Sequence, residues 1–395
     1  MTGASVTRLR SRLAIAAQSI TGLTAGRAAR PSGVIGTRGG DPPAEAVPAP
    51  TGTASTAASA TARRTKDQSG SLRRLLASAL AVSALTVAAC GGDDTPATSP
   101  GDHAKSSEPV TLKVGVLPIA DLAPLYLGMH QGFFKDENLT IEPAVAEGGA
   151  AVVPAVMSGD NQIGFSNVTS IMNGKAQNLP LKPLAAGVAG AATEDKAWDA
   201  LLAPKGGVTD LKQLEGKQVS VNTLKNLPEV AVRNSLEKAG VDVSKVQFVE
   251  IPFPDVPAAL EAKRVDAAFA VEPFVGASMA AGATKLAEPF EELAPDLTIA
   301  EYFTTEKYAS ENADVIARFT RAINKALDFA QQNPDGVRRI ITTYTKTPQA
   351  AADKMALPTW SSKVNDTAMS SLVDLSKKYG VLKGDVDVGT FVNLG

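Results

Sequence analysis

The chemistry-bearing residues of this chain are gathered in a few short loops. They are Pro118-Ile119-Ala120-Asp121-Leu122-Ala123, Glu147-Gly148-Gly149-Ala150 and Ser166-Asn167-Val168-Thr169-Ser170, then Asn222-Thr223-Leu224-Lys225-Asn226, Pro252-Phe253-Pro254-Asp255 and Val271-Glu272-Pro273-Phe274. Their side chains accept and donate hydrogen bonds; none is an activated nucleophile. One Cys (Cys90) and two His (His103 and His130) in 395 residues exclude a disulfide scaffold and a Cys-rich metal site, and leave little for a His-based triad or metal cluster. Nothing in the sequence calls for a cofactor or a bound metal. The chemistry on offer is non-covalent recognition of a small molecule.

The elements around these loops explain why they would converge. From Val110 onward the chain alternates strand, turn and helix. Thr111–Leu117, Leu139–Pro143, Gln162–Phe165 and Leu181–Val188 read as strands, and a second series holds Trp198–Ala203, Gln218–Asn222, Val246–Ile251 and Val265–Val271. Helices are expected over 123–134, from Gly148 through Met157, and over 170–176, 228–239 and 256–262, with a charged one closed by Gly216. Val315, Phe319, Ile323 and Leu327 share one face of a helix over 312–332, and 366–379 is another. This alternation predicts a mostly parallel α/β architecture. In such sheets ligands sit beyond the carboxyl ends of the strands, against helix N-termini whose free N–H groups carry partial positive charge.

On that rule the candidate ligand contacts are Asp121, Gly148, Gly149, Ser166, Asn167, Thr169, Asn222, Thr223, Asp255 and Glu272. Each has a plainer alternative. Gly148-Gly149 also suits a turn and helix start, Ser166 and Thr169 also suit helix caps, and Glu272 also suits a structural hydrogen-bonding carboxylate. Phe253 either covers the pocket or fills core, and Trp198 and Trp360 read as packing residues. The loops hold one basic residue, Lys225, against four acidic ones, Asp121, Glu147, Asp255 and Glu272. Carboxylates disfavour a simple anion and favour a solute bearing an amine or aminopyrimidine.

The first part of the chain is a different material. All 19 aromatic residues lie at or after Tyr126. Residues 1–71 are rich in Ala, Gly, Thr, Pro and Arg, too poor in large apolar groups to offset chain entropy, and read as a disordered, mis-assigned extension. Leu72-Arg73-Arg74 and the uncharged run from Leu75 to Ala89 form the basic and apolar parts of a signal peptide, too short to span a membrane. The run ends Val87-Ala88-Ala89-Cys90 and resembles a bacterial lipobox. There the thiol takes a diacylglyceryl group and becomes N-terminal after cleavage. Residues 90–109, with His103, read as a tether; at about 5–6 Å × √n it would reach roughly 20–25 Å. Residues 1–89 hold 11 basic and 3 acidic side chains, so the remaining 306 residues, with 28 basic and 38 acidic, are clearly acidic. That argues against nucleic acid as a partner and leaves membrane attachment to Cys90.

Several phrases together resemble a known family. They include Lys113-Val114-Gly115-Val116-Leu117-Pro118, Ala123-Pro124-Leu125-Tyr126 with Gln131-Gly132-Phe133-Phe134, Gly148-Gly149, and Met157-Ser158-Gly159-Asp160 before Ile163-Gly164-Phe165. Leu211 to Lys217 and Ala258 to Ala268 continue the series. In order and spacing they resemble the solute-binding proteins of ABC importers in the nitrate, sulfonate, taurine and thiamine-pyrimidine group. The resemblance implies a type II periplasmic-binding-protein fold: two α/β lobes, 110–187 plus 300–395 and 188–299, joined by crossovers near Gly187-Val188 and Ala300-Glu301-Tyr302-Phe303. It also implies a monomeric, non-enzymatic protein held outside the cell, with a permease and an ATPase as partners. The alternative within the same fold is an enzyme of thiamine-pyrimidine synthesis, which would need more His and Cys than the folded part contains.

Overall fold

A computed structural model describes residues 108–191, 193, 196–294, 296–392 and 394. The expected extension, signal peptide, Cys90 and most of the tether lie outside the described residues. Ten strands form two five-stranded sheets. In the first are β1 (Val110–Val116), β2 (Leu139–Val145), β3 (Ile163–Asn167), β4 (Leu181–Ala189) and β10 (Thr298–Thr305), in the order β2-β1-β3-β10-β4. The second holds β5 (Asp199–Ala203), β6 (Gln218–Val221), β7 (Gln247–Glu250), β8 (Ala267–Val271) and β9 (Thr284–Ala287), in the order β7-β6-β8-β5-β9. The chain leaves the first sheet after β4 and returns at β10, which gives the two lobes and two crossovers of the expected fold class.

The sheets are more mixed than simple strand–helix alternation implies. In each, four strands run one way and one runs against them, β10 in the first and β5 in the second. Each reversed strand is the first to enter its sheet after a crossover, so it does not follow a strand of the same sheet through a strand–helix–strand unit, the connection that makes neighbours parallel. The two sheets thus repeat one topology although no sequence repeat is visible. The expected crossover residues Gly187-Val188 and Ala300–Phe303 lie inside β4 and β10, where the register shifts at Gly187 between the Ala300–Val188 and Glu301–Ala186 pairs. The chain between the sheets is 190–198 and 288–297.

The helices α1 (Ala123–His130), α2 (Gly149–Met157) and α3 (Val168–Ala176) follow β1, β2 and β3. In the second lobe lie α4 (Leu227–Lys238), α5 (Val256–Glu261), α6 (Phe274–Ala280) and α7 (Pro289–Leu293). The returning chain adds α8 (Glu306–Glu311), α9 (Ala313–Gln332), α10 (Pro334–Tyr344), α11 (Gln349–Ala352), α12 (Asp366–Lys378) and α13 (Gly389–Val392). The α9 stripe of Val315, Phe319, Ile323 and Leu327 is buried as its spacing requires. Phe319 packs 5.7 Å from the Tyr302 ring of β10 and 5.8 Å from Phe134, so α9 backs the first sheet.

Two local expectations give way. The charged helix before Gly216 is only a short 3-10 turn, Leu211–Leu214; the Asp210 carboxylate caps its start, accepting from the Lys212 N–H at 2.8 Å, and the chain leaves helical geometry at Glu215, which is extended. The edge strand β9 has no apolar run to announce it, since the edge of a sheet leaves Thr284 and Lys285 exposed.

Candidate functional site

The parallel strands of each sheet end on the side where the lobes face one another. Short connections there leave small polar residues and helix N-termini pointing between the sheets. At the end of β3, Asn167 caps α3, its Oδ1 accepting from the Ser170 N–H at 2.9 Å. That bond leaves the Asn167 amide nitrogen available. At the end of β6, Asn222 Oδ1 accepts from Asn226 Nδ2 at 3.2 Å and its own amide nitrogen is likewise left over. At the end of β2, Gly149 opens α2 so close to β3 that a Cβ there would stand 2.6 Å from Ser166 Oγ.

These groups enclose a cavity of about 40 Å³ between the lobes. Asp121, Gly149, Ser166 and Asn167 line it from the first lobe and Asn222 from the second. Its apolar walls are Ile119, Phe165, Phe253 and Val271, closed by Phe290 and by Ile299 and Ala300 of the returning chain. Ser166 Oγ and Asp121 Oδ1 are buried and have no hydrogen-bond partner within the described protein. Buried polar groups left without partners are costly, so both are suited to meet polar atoms of a ligand.

Asp121 is the one charged side chain that lines the cavity. It is 4% exposed, and burial pushes its carboxyl up to about 7. Trp360 Nε1 donates to the Asp121 carbonyl oxygen at 3.1 Å and fixes its backbone. Lys225, the one basic residue of the loops, is exposed; its N–H donates to Glu229 Oε2 at 2.7 Å, and it does not line the cavity.

The other candidates are distributed around this centre. Gly148 and Thr223 meet at its rim, where a Cβ on Gly148 would stand 2.5 Å from Thr223 Oγ1. Thr169 is fully buried in the first turn of α3, with its hydroxyl unpartnered. Asp255 and Glu272 line a separate, larger groove of about 740 Å³, together with Pro118, Pro254, Phe274 and Tyr344. Glu272 is 5% exposed, and its Oε2 accepts from the Gly276 N–H at 3.0 Å, so this carboxyl is tied to the start of α6. Burial pushes it, too, up to about 7. His130 ends α1, away from the cavity lining, and Trp198 packs against Phe290.

Sequence reasoning missed Phe290, Ile299 and Ala300, which reach the cavity only because the second crossover folds back over it. It also missed Glu301. This residue stands opposite Ser166 in the β10–β3 ladder, is fully buried, and has its carboxyl pushed well above the carboxylate range by burial.

The lobes touch directly. The Ala120 N–H donates to the Glu272 carbonyl oxygen at 2.9 Å, and Asn173 Nδ2 donates to the Lys225 carbonyl oxygen at 3.0 Å. At the far side, Lys378 Nζ and Tyr379 Oη, at the end of α12, both reach Glu237 Oε2 of α4 at 2.5 Å. The arrangement can enclose a small polar molecule and hold it between two surfaces.

The Asp121 carboxyl has a consequence for stability. Its folded value, about 7, lies above the ordinary aspartate value of 3.8. Its protonated form therefore favours folding, fully below the unfolded value and progressively less as pH rises through 7. From pH 5 to 8 this one group should cost roughly 2–3 kcal/mol of unfolding free energy. Asp121→Asn should flatten that part of the pH–stability curve in urea unfolding; an unchanged slope would show that Asp121 does not titrate there.

The chain resembles proteins already described. The model of the family described as NMT1/THI5 like matches residues 119–337, more than half of the chain. A protein of Brachyspira hyodysenteriae, provisionally named an ABC transporter periplasmic binding protein, is 23% identical over 61% of this chain and 71% of its own. A Brucella abortus protein, provisionally named a binding protein, is 23% identical over 66% of this chain and 83% of its own. Among solved structures, the alkanesulfonate-binding protein SsuA of Xanthomonas axonopodis pv. citri, bound to MOPS, superposes with a TM-score of 0.61 at 16% identity, over 72% of this chain and 98% of that one. The nitrate-binding protein NrtA of Synechocystis gives 0.61 at 13% identity, over 72% and 85%. These structural likenesses establish the periplasmic-binding-protein fold.

Proposed function

The chain belongs to the NMT1/THI5-like family, and from that premise we propose that it is the extracytoplasmic solute-binding component of an ABC importer. It captures a small polar organic solute, of the sulfonate, taurine, nitrate or aminopyrimidine class, and hands it to a membrane permease driven by a separate ATPase. The observation that carries the choice of solute is the cavity lining. It offers amide and hydroxyl groups from Ser166, Asn167 and Asn222, one carboxyl from Asp121 and no basic side chain. A simple anion would meet a carboxyl and no cation there, so a solute with an amine or aminopyrimidine nitrogen is favoured.

Binding works by closure. A solute that contacts Asp121, Gly149, Ser166 and Asn167 on one lobe and Asn222 on the other stabilises the closed arrangement relative to the open one, and so shifts the population towards it. Cys90, lipidated after signal-peptide cleavage, holds the body at the outer face of the membrane through the tether of residues 90–109. The protein acts as a monomer without a cofactor, in the mapping of lobes given by the sequence.

Mass spectrometry of solute co-purified with the protein, followed by a thermal-shift panel of taurine, alkanesulfonates, nitrate and aminopyrimidines, tests this reading. Nitrogen-bearing solutes should raise the Tm. Tight binding of nitrate or alkanesulfonates alone would overturn the solute class, and no shift with any solute would overturn the transport role.

A further inference from the structure

A thin wall separates the cavity from the neighbouring groove. Three turns give one residue to each side of it: Ile119 and Pro118, Phe253 and Pro254, Val271 and Glu272. The Ala120 N–H, bonded to the Glu272 carbonyl oxygen at 2.9 Å, ties the two lobes together along this wall. The groove beyond it, about 740 Å³, is of the usual size for a small-molecule site. Pro118, Tyr344 and Thr347 line it from the first lobe, and Pro254, Pro273 and Phe274 from the second. Prolines have no N–H to give, and two hydroxyl donors of the lining are already in use. Tyr344 Oη donates to the Ile119 carbonyl oxygen at 3.0 Å, and Thr345 Oγ1 to that of Ile341 at 2.7 Å. The Tyr344 ring is held by stacking on Tyr126 at 3.9 Å.

The groove's strong acceptors are two carboxyls. Glu272 is almost fully buried yet lines the groove; Asp255 lines it too and is exposed. Gly276 leaves the Glu272 carboxyl uncovered, since even a Cβ there would stand 3.2 Å from its Oε2 and 3.6 Å from its Oε1. Burial opposes the charge of Glu272, while the Gly276 and Ala356 N–H groups and Lys285 of β9 favour it. Lys285 is itself paired with Glu288 Oε1 at 2.9 Å. Lys346, the one cation of the lining, is exposed, where water and salt screen it.

We propose that this groove is a second binding site, for an organic ammonium ion whose nitrogen meets Glu272 and whose apolar body lies against the prolines and the rings of Tyr344 and Phe274. The inference goes beyond the transport reading, which places its solute on the other side of the wall and does not use Glu272. A buried carboxyl is costly without a counter-charge, and an ammonium group supplies one. The two rings add attraction for a cation. An anion of the same size would meet two carboxyls and few free donors.

The test is NMR titration of the full chain with benzylamine, benzyl alcohol and benzoate, which carry one ring with a cationic, a neutral and an anionic group. Benzylamine should bind at least roughly tenfold more tightly than benzoate, as a hydrogen bond to a charged group implies. Glu272→Gln should weaken benzylamine by roughly tenfold and leave benzyl alcohol unchanged. Ala277 is exposed on α6 and lines the groove, so Ala277→Trp should fill it and abolish binding of both; this variant serves if Glu272→Gln does not fold. No binding of benzylamine, benzoate binding as tightly, or full affinity in Ala277→Trp would overturn the proposal. Loss of benzylamine in Asp121→Asn with none in Ala277→Trp would place the amine in the cavity; that overturns the second site and leaves the transport reading standing, whose own failure the thermal-shift panel reports.

Discussion

Asp121→Asn should lower affinity for an amine-bearing solute by roughly 30-fold or more. Truncating one partner of a buried, hydrogen-bonded charge pair costs about 2–5 kcal/mol, and each 1.4 kcal/mol is tenfold in Kd. Asp121 supplies the one carboxyl lining the cavity, and its Oδ1 has no partner in the described protein. A cationic nitrogen would therefore be its only counter-charge there. The same substitution removes a carboxyl that destabilises the fold as pH rises through 7. It should thus weaken binding while raising stability at pH 8, a pair of opposite effects that general damage to the fold does not produce. Titration calorimetry beside urea unfolding reads both. Equal affinity for wild type and variant would remove Asp121 from the site.

Gly148→Val should act by a different route, on closure itself. Gly148 has φ −164°, extended backbone that any residue adopts, so the substitution brings no backbone strain of its own. The obstacle is across the cleft, where even a Cβ would stand 2.5 Å from Thr223 Oγ1. Overpacking of this kind costs about 1–3 kcal/mol, here charged to the closed state alone. Affinity should fall roughly 5- to 150-fold with little change in the stability of either lobe. Adding Thr223→Ala should restore much of the loss by clearing the opposing hydroxyl and methyl. Small-angle scattering should find the solute-bound single variant more extended than the wild type. Unchanged affinity in the single variant would show that the lobes need not meet at this rim.

Five of the ten candidate residues named from the sequence, Asp121, Gly149, Ser166, Asn167 and Asn222, stand around one cavity. They were legible because their positions obey a local rule: a β-rich run, a small or polar residue at its end, then a helix start. Glu272 and Asp255 obey the same rule yet line the neighbouring groove. Loop position says that a residue lies at the strand ends, and side-chain direction decides which hollow it enters. The Val271 and Glu272 side chains alternate, as strand geometry requires, so one lines the cavity and the next the groove.

The sequence by itself determined the strand–helix alternation, the apolar stripe of α9, the Asn167 loop as a helix start and the family resemblance, because each rests on residues close together in the chain. Tertiary structure alone decided the reversed strands β5 and β10 and the contribution of Phe290, Ile299 and Ala300 to the cavity. Those depend on where two crossovers return a chain after about a hundred residues, and no local propensity encodes that distance. The chemistry of a carboxyl is likewise undecided in sequence. Asp121, Glu272 and Glu301 carry ordinary acidic groups in the chain, and burial in the folded protein raises their affinity for a proton.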